Sequence, residues 1–511
     1  MTDLPAAPAR LSHRQVLIVF SGLMLGMLLA ALDQTIVATA LPTIVGDLGG
    51  LALVSWVFSI YVLVQTVTIP VYGKLADLFG RKPVLVIGTL VFLAGSAACS
   101  MAWDMVSLIA FRGLQGLGAG AVMATINTLA GDLYSLEERA RIQGWLASMW
   151  GMAAIAGPLL GGAFVDYATW RWIFLVNLPI GALALVLIGV FLHEHVDRRG
   201  ARIDWAGAVL VLAALSALIF GVLQGGQAWA WGSTPSLAVF ALAALALAAL
   251  AWVERRAAEP IIPAWLWRNR VLSGANLAMV GMGLVMMAPS IYLPMLMQSV
   301  QGLGAIAAGL VLASLNIGWP LAASYSGRFY LRIGFRNTAL LGSALLLLAS
   351  LGFWLLPRPQ PVWAVVLDHV ALGAGLGFLN TSMMVGVQSV VGWERRGVVT
   401  SANMFARYLG QSLGAGLFGA IFNAVVASRL AQAPRSLEGQ LPGTLDGMLQ
   451  ALHQAGTAAG VAAFLKDTIA TATGALYAGM AVAAFFMVLV LLTLPRRFAP
   501  LPATPAPVGS T

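Results

Sequence analysis

Two stretches decide the fold of this chain: GKLADLFGRK at residues 73–82 and GRFYLRIGFR at residues 327–336. Both glycines of the first stretch have a counterpart in the second, and basic residues occur near both ends of each, whereas Leu331 takes the place of Asp77. Each stretch lies between long apolar runs. The repeat therefore predicts two related helical halves in a membrane, each with one version of the same cytoplasmic turn.

The composition indicates that the chain folds in lipid. Of its 511 residues, 60% are hydrophobic and 9% are charged, whereas a water-soluble protein has about 25% charged residues. The single cysteine, Cys99, excludes an intramolecular disulfide. The first long apolar run begins near Gln15 and is long enough to remain as a membrane span, so we expect no cleavable signal peptide.

Apolar runs of about 20 residues predict 14 transmembrane helices. They lie near 15–38, 53–72, 84–101, 107–130, 142–164, 172–192, 205–224, 236–253, 271–297, 303–326, 338–356, 361–390, 398–426 and 471–494. With a cytoplasmic N-terminus, most of the 28 Lys and Arg residues fall on the cytoplasmic side, and the external loops hold Arg171, Arg358, Arg429, Arg435 and Lys466. This bias predicts that both termini are cytoplasmic. It also accounts for the net charge of +9 without a nucleic-acid partner.

Further matches between the halves follow the same order along the chain, which chance similarity among helices rich in glycine and alanine does not explain. LGAG at 117–120 recurs at 372–375, and Gly151 corresponds to Gly410. The chain is predicted to be an all-α membrane protein with an N-terminal six-helix bundle at 1–195, two inserted helices at 196–258, a C-terminal six-helix bundle at 259–497 that contains a long external loop at 429–470, and a disordered tail at 498–511. Repeated halves of this kind are typical of secondary transporters.

Five motifs in order resemble one family, the 14-helix drug:proton antiporters (EmrB/QacA type) of the major facilitator superfamily. Residues 32–42, LDQTIVATALP, resemble its helix-1 signature, with Ala38 where asparagine is usual. Residues 73–82 resemble the loop motif of the whole superfamily. Residues 112–120, 151–162 and 170–181 resemble the helix-4 motif, the helix-5 antiporter motif and a segment typical of 14-helix members. The resemblance covers essentially the whole chain and implies a major facilitator fold and export.

Ionisable groups are few within the predicted spans, and each is costly there, so each is a candidate for function. Asp33, Arg112 and Asp368 fall five to seven residues from the external ends of their predicted helices, which is roughly 8–11 Å below the outer boundary. We hypothesise that they meet in a central cavity, where Asp33 is the main proton carrier, Arg112 modulates it and Asp368 supplies negative charge to the C-terminal half. The alternative is a structural Asp33–Arg112 ion pair. His369 titrates in a useful range, although a lone histidine on an apolar helix is more often a hydrogen-bonded packing residue.

The first turn is interpreted as a gate. Gly73 and Gly80 permit close helix approach and a tight bend, and Asp77 is suited to a helix N-terminus, where unpaired N–H groups favour negative charge. In the family that the chain resembles, this partner is the start of span 13, near 397–401. Arg81 is expected to pair with Asp77 or with nearby acids. A positive-inside anchor is the simpler alternative, but it does not explain Asp77.

Residues of the helix-5 motif interrupt span 5. Pro158 removes a backbone donor and bends a helix, while Gly157, Gly161 and Gly162 permit tight packing. These four residues are predicted to serve the transport motion. Helix packing alone remains a serious alternative.

The sequence indicates the character of a substrate and not its identity. Thioethers, aromatic rings and amides at helical spacing suit varied apolar ligands, and the candidate cavity residues are Trp56, Tyr61, Gln65, Asn276, Met279, Met286, Tyr292 and Arg407. The alternative is that the methionine stripe is core or faces lipid. The role of Arg407, which either attracts an anionic group or extends to the membrane surface, is left open.

The leading functional prediction is export of lipophilic or amphipathic compounds in exchange for protons, by alternating access in the plasma (inner) membrane, as in multidrug efflux and antibiotic resistance. The alternative is an exporter or flippase of a lipid or another hydrophobic metabolite. No GxxxxGK[S/T] phosphate loop is present, which excludes an ATPase of that kind. We expect no enzyme activity, no catalytic or metal site and no cofactor. The expected partners are a small lipophilic substrate, protons and membrane lipids, and an envelope adaptor is left open.

Overall fold

A computed structural model describes residues 13–50, 53–194, 204–225, 229–257, 259–357, 359–434, 437, 440–442, 445–453 and 458–499. Its α-helices are α1 (His13–Leu48), α2 (Val54–Phe79), α3 (Arg81–Ser100), α4 (Met105–Leu133), α5 (Leu136–Tyr167), α6 (Trp172–Leu175), α7 (Asn177–Phe191), α8 (Trp205–Gln224), α9 (Thr234–Glu254), α10 (Ala264–Arg268), α11 (Arg270–Ser299), α12 (Ala305–Ala313), α13 (Leu315–Leu355), α14 (Val362–Ser389), α15 (Arg396–Ala431), α16 (Leu445–His453) and α17 (Ala459–Thr493). Three predictions lie wholly or partly outside the described residues: the disordered tail at 498–511 from residue 500 onward, the domain boundary near 195 and parts of the external loop. Phe498 is described and stacks on Phe335 with ring centroids 5.5 Å apart, so the predicted start of the disordered tail at 498 is wrong.

Thirteen stretches of the described chain are long and apolar enough to cross a membrane, and one of them, Ile306–Leu355, is two passes. Gly334 divides it, because its φ of 83° is left-handed and ends a helix. Gly80, the matching glycine of the first turn, has φ 97° and also separates two helices. The described residues therefore contain the fourteen predicted passes, and the two turns share a backbone conformation as well as a sequence.

The helix α1 is longer than predicted, because it continues to Leu48 and does not end near residue 38. Ala40 and Ile44 are fully buried in this extension, so packing continues the helix beyond the first apolar run. Asp33 consequently lies roughly 22 Å from the end of α1 at 1.5 Å per residue. The predicted depth of 8–11 Å below the outer boundary therefore cannot be counted from the end of α1, and it stays a prediction.

The two halves repeat one packing pattern. In the first half α1 packs on α5 and α7, while α4 packs on α2 and α3. In the second half α11 packs on α15 and α17, while α14 packs on both parts of α13. The two halves meet where α2 contacts α15 and α5 contacts α13, and α8 packs against α9, α2 and α15.

The halves are joined on the arginine-rich side, which the positive-inside rule assigns to the cytoplasm. There the Tyr330 hydroxyl donates to the Leu136 carbonyl at 2.5 Å, and the Gln388 amide donates to the Asn127 carbonyl at 3.1 Å. Among the described residues, the hydrogen bonds between the halves all lie toward this side. The structure therefore shows a form closed toward the cytoplasm.

Candidate functional site: a central cavity beside a buried charge network

A cavity of about 310 Å³ lies between the two halves, near the middle of the bundle. Thioethers form much of its wall: Met27, Met123, Met286, Met287, Met384 and Met404. Side-chain amides are also frequent: Gln34, Asn127, Gln143, Asn316, Asn380 and Gln411. Trp150 and Trp319 add broad aromatic surfaces, and Arg407 is the one charged residue in this lining. The cavity is thus largely apolar, with a few polar groups and a single positive charge, as small-molecule sites usually are.

Of the predicted cavity residues, Met286 and Arg407 line this cavity, and the other six do not. Trp56 stacks on Phe220 of α8 with ring centroids 5.6 Å apart. Tyr292 stacks on Phe422 at 4.7 Å. Met279 lies in the core of the second half. For these residues the alternative of core packing fits the structure. Helical spacing shows which residues share one face of a helix, but it does not show whether that face lines a cavity or packs against another helix.

The remaining three predicted cavity residues are also buried elsewhere. Tyr61 is fully buried under a guanidinium, and Gln65 accepts a hydrogen bond from Gln34 at 3.3 Å. Asn276 accepts a hydrogen bond from Asn403 at 3.3 Å. Gln65 is bonded to Gln34, which lines the cavity, so it lies behind the wall.

Arg407 has few protein partners for a charged group in a membrane. Its Nη1 donates to Asn380 Oδ1 at a long 3.4 Å, and its guanidinium lies 5.1 Å from the ring of Tyr408. Among the described residues, no carboxylate lies within the 4.0 Å of a salt bridge to it. The charge of Arg407 is therefore available to whatever occupies the cavity.

Asp33 forms the centre of a buried polar network in the first half. Arg112 Nη1 donates to Asp33 Oδ2 at 2.5 Å, and Gln115 Nε2 donates to Asp33 Oδ1 at 2.7 Å. Asn177 Nδ2 donates to Asp33 Oδ1 at 3.2 Å and to Ser96 Oγ at 3.0 Å. Asp33 and Arg112 are both fully buried. Helices α4 and α7 therefore donate to the carboxylate on α1, and α3 joins the network through Ser96.

Arg112 is held from several directions at once. Its Nε donates to the Val57 carbonyl at 3.3 Å, its Nη1 also donates to Gln115 Oε1 at 2.8 Å, and its guanidinium lies 4.2 Å from the centre of the Tyr61 ring. Its Nη2 has no hydrogen-bond partner among the described residues. Asp33 and Arg112 thus form a hydrogen-bonded ion pair within the network.

The network lies next to the cavity and not in it. Asp33 and Arg112 do not line the cavity, whereas Gln34, the next residue along α1, does. Because neighbouring helical residues point about 100° apart, α1 presents Asp33 to the first half and Gln34 to the cavity. The expectation that the charges meet within the cavity is therefore corrected, although Asp33 and Arg112 do meet each other.

Asp368 does not join this network. It lies on α14, where its Oδ1 is 3.3 Å from the point at which a Cβ on Gly352 would lie, so it packs against α13. Its Oδ2 is 3.6 Å from His369 Nδ1 and has no hydrogen-bond partner among the described residues. Because α14 belongs to the other half, Asp368 stays apart from Asp33, and the prediction that the three charges meet is wrong.

His369 is a packing residue in this structure. Its Nδ1 lies 2.9 Å from the Val365 carbonyl and its Nε2 lies 2.7 Å from the Tyr477 hydroxyl. Tyr477 in turn stacks on Phe353 at 3.7 Å. Both ring nitrogens are therefore occupied by protein groups.

The predicted partner of Asp77 is confirmed. Asp77 Oδ1 accepts the backbone N–H of Gly397 and Asp77 Oδ2 accepts that of Val398, both at 2.8 Å, at the first turn of α15. This places a carboxylate at a helix N-terminus, where it is stabilised by the unpaired N–H groups and the helix dipole. Leu331 has no carboxylate with which to repeat the contact, so the two turns are not equivalent.

Arg81 pairs with two acids, as predicted. Arg81 Nη2 lies 2.8 Å from Asp77 Oδ1, and Arg81 Nε lies 3.0 Å from Asp132 Oδ2. Arg396, at the start of α15, binds the other oxygen of Asp132 at 2.5 Å. The Arg81 guanidinium also stacks on the ring of Trp393 at 3.7 Å. These contacts link both halves at the cytoplasmic side.

The family model of the Major Facilitator Superfamily matches residues 23–415. The chain belongs to the major facilitator superfamily. It is similar to "Multidrug transporter protein MdtP" of Bacillus subtilis, with 36% identity over 402 residues that cover 78% of this chain and 73% of the relative. It is also similar to "Multidrug resistance protein 3" of the same species, with 34% identity over 395 residues and 76% of each chain.

Comparison with solved structures supports the same fold. The crystal structure of the human organic anion transporter MFSD10 (TETRAN) aligns with a TM-score of 0.59 and 16% identity, and the alignment covers 93% of this chain and 99% of that one. The predicted major facilitator fold is confirmed, and the names of the two bacterial relatives support the drug-efflux branch that the motifs predicted.

The helix-5 motif of this superfamily member holds α5 tightly against α1. A Cβ on Gly157 would lie 2.2 Å from Thr35 Oγ1, and one on Gly161 would lie 2.0 Å from Thr39 Oγ1, so a side chain at either position would clash. Thr35 also donates to the Ala153 carbonyl of α5 at 2.8 Å. Gly162 has open space around it, and Pro158 is exposed within a continuous helix. The packing alternative thus describes Gly157 and Gly161.

Several contributing residues were not singled out from the sequence. Their shared feature is that they complete the two charge networks: Ser96, Gln115, Asp132, Asn177, Glu194 and Arg396. Glu194 accepts the backbone N–H groups of Arg81 and Lys82, both at 2.9 Å, and so caps α3. For Gln115 a signal was available, because residues three apart share a helix face and Arg112 was already a candidate. For the others, no local pattern points to partners more than 50 residues away.

Proposed function

We propose that this protein exports lipophilic or amphipathic compounds across the plasma membrane in exchange for protons, as a multidrug efflux transporter and not as an enzyme. The observation that carries this proposal is a fully buried carboxylate, Asp33, held by Arg112 on a helix that also lines the central cavity. The similarity to two bacterial proteins named for multidrug transport and resistance supports the same branch of substrates.

Proton binding at Asp33 can change the cavity wall, because both belong to helix α1. A protonated Asp33 no longer attracts Arg112 as an ion pair, and the donors of Gln115 and Asn177 then hold a neutral group. The helix α1 carries Asp33 on one side and Met27 and Gln34 on the cavity side. A shift of α1 therefore changes the cavity without direct contact between proton and substrate.

Alternating access requires that the cytoplasmic contacts break and re-form. The hydrogen bonds that Asp77 accepts from the N–H groups of Gly397 and Val398 supply one such contact. Each contributes about 1.5–3 kcal/mol, so the two bonds hold the closed form and can still break when the halves move. In the form shown here they are made. Opening of these contacts would give the cavity access to the cytoplasm, from which substrate enters.

The test is transport in proteoliposomes under an imposed pH gradient, with the wild type, Asp33→Asn and Asp166→Asn compared. Asp166 is exposed near the outer end of α5, so its variant removes a carboxylate outside the network. We expect the gradient to drive dye accumulation in the wild type and in Asp166→Asn, and Asp33→Asn to lose this response. Full gradient-driven transport by Asp33→Asn would refute the role of Asp33. Movement of labelled lipid without a gradient would instead favour the lipid flippase.

A further inference from the structure

We propose that the central cavity selects amphipathic anions, such as lipophilic carboxylic acids in their ionised form, and that Arg407 is the residue that binds their charge. This inference deepens the proposed export function and depends on it for its physiological meaning. It concerns charge selectivity, which neither the motifs nor the names of the two bacterial relatives assign.

The first support is the charge balance of the cavity. Arg407 is the one charged residue in the lining, and both membrane carboxylates that were predicted to act there face elsewhere. Asp33 is fully buried and bonded to Arg112, and Asp368 packs against α13. A ligand in the cavity therefore meets a positive charge and no neighbouring negative charge. In a medium of low dielectric constant, that imbalance strongly favours an anion over a cation.

The second support is a set of hydrogen-bond donors without partners. Arg407 Nε, Trp319 Nε1 and the Tyr408 hydroxyl have no hydrogen-bond partner among the described residues, and all three side chains belong to the cavity lining. Buried donors without acceptors are costly. An oxyanion is rich in acceptors and offers none of the competing donors that an ammonium group would bring. These three atoms are themselves buried, so an anion reaches them only after the cavity wall shifts, and the charge of Arg407 is what favours a carboxylate over an amine at the start.

The third support is the rest of the wall. The thioethers of Met286 and Met404 and the indole of Trp150 provide polarisable apolar surface that adapts to different shapes. The guanidinium can bind a carboxylate through two parallel hydrogen bonds. One end of the ligand is thus fixed by charge, while its apolar body is recognised loosely. This combination describes amphipathic acids of varied skeleton.

The test uses three ligands that share one ring system and differ in charge: 1-naphthaleneacetate, its neutral primary amide and 2-(1-naphthyl)ethylamine. Binding of tritiated naphthaleneacetate to the full-length protein in nanodiscs is measured at pH 7, and the amide and amine are used as competitors. We expect the acid to bind the wild type more tightly than either competitor. Arg407→Gln should weaken binding of the acid at least tenfold and leave the amide nearly unchanged.

A second variant keeps the test valid if Arg407→Gln does not fold. Asn380→Asp places a carboxylate where the side-chain amide oxygen lies 3.4 Å from Arg407 Nη1. This variant should weaken binding of the acid and strengthen binding of the amine. Arg332→Gln is the matched control, because Arg332 is exposed in the same half and away from the cavity. It should bind all three ligands as the wild type does.

Three results would overturn the inference: equal affinity of the wild type for acid and amide, tighter binding of the amine, or binding of none of the three. These results are separable from a failure of the proposed function. A wild type that moves dyes under a pH gradient and prefers the amine would refute anion selectivity alone. Loss of gradient-driven transport in the wild type, with the acid still preferred in binding, would refute only proton-coupled export.

Discussion

Asp77 and Gly397 are joined by a hydrogen bond of 2.8 Å although they are 320 positions apart in the chain. The bond connects the end of α2 in the first half to the start of α15 in the second, and it satisfies an N–H group that a helix leaves unpaired at its first turn. A contact of this kind exists only while the cytoplasmic ends of the two halves are together. It therefore reports which form the molecule has adopted.

We predict that Asp77→Asn shifts the protein away from the form closed toward the cytoplasm. The amide keeps an acceptor but loses the charge that favours a helix N-terminus, which is worth about 0.3–2 kcal/mol. Spin labels at the exposed positions 141 and 328, on α5 and α13, measure the separation of the halves. The long-distance population should increase in Asp77→Asn and not in Asp166→Asn. An unchanged distance distribution would show that Asp77 does not hold the closed form.

We predict that Gly144→Ala also disfavours this form, for a steric reason. A Cβ at position 144 would lie 1.9 Å from Ser324 Oγ and 3.0 Å from the Pro320 carbonyl across the interface of the halves. Overpacking of this kind costs about 1–3 kcal/mol. The double variant Gly144→Ala/Ser324→Ala removes the nearest atom and should recover part of the wild-type distance distribution and transport rate. Gly162→Ala, at a position with open space, is the control. No difference between the single and double variants would contradict the steric explanation.

We predict that Arg112→Gln destabilises the protein more than the double variant Asp33→Asn/Arg112→Gln does. The single change leaves the carboxylate of Asp33 buried without its cation, which costs about 3–5 kcal/mol in buried pairs. The double variant removes both charges and keeps polar groups of similar size. Melting temperatures of the purified proteins in one detergent measure the order. A double variant no more stable than Arg112→Gln would indicate that the ion pair is not the source of the loss.

If the two proposals hold together, export of the acid should depend most strongly on membrane potential. Exchange of one exported anion for one proton is equivalent to moving two positive charges inward. Exchange of the neutral amide for one proton moves one positive charge inward, and exchange of the protonated amine for one proton moves no net charge. Each charge contributes about 2.3 kcal/mol per 100 mV. Initial rates in proteoliposomes, with the potential set by potassium and valinomycin, should therefore respond in the order acid, amide, amine. Equal responses of acid and amide would show that the acid does not cross as an anion.

Motif residues and site residues differ in how far the sequence could predict them. The contact of Asp77 with the start of α15 was expected from the family resemblance. The pairing of Asp33 with Arg112 was one of two interpretations, because a charge within an apolar helix requires a partner and few are available. Trp56, Asn276 and Met279 were assigned to the cavity and lie in packed contacts. Their spacing correctly predicted helix faces. Whether such a face lines a cavity or packs in the core depends on how the neighbouring helices are placed, which the spacing does not show.

The sequence alone determined the solvent, the fourteen passes and the two-fold repeat, since apolar length and the spacing of glycine and basic residues are local properties of the chain. Gly80 and Gly334 show this most directly, because the same motif position adopts the same left-handed backbone in both halves. Only the tertiary structure decided which charged residues contact one another and which line the cavity. Asp33 and Asp368 have similar positions in their sequence runs, yet one lies in a four-helix network and the other packs against α13. Arg407 is the charge that lines the cavity, because that depends on how helices from distant parts of the chain enclose a volume.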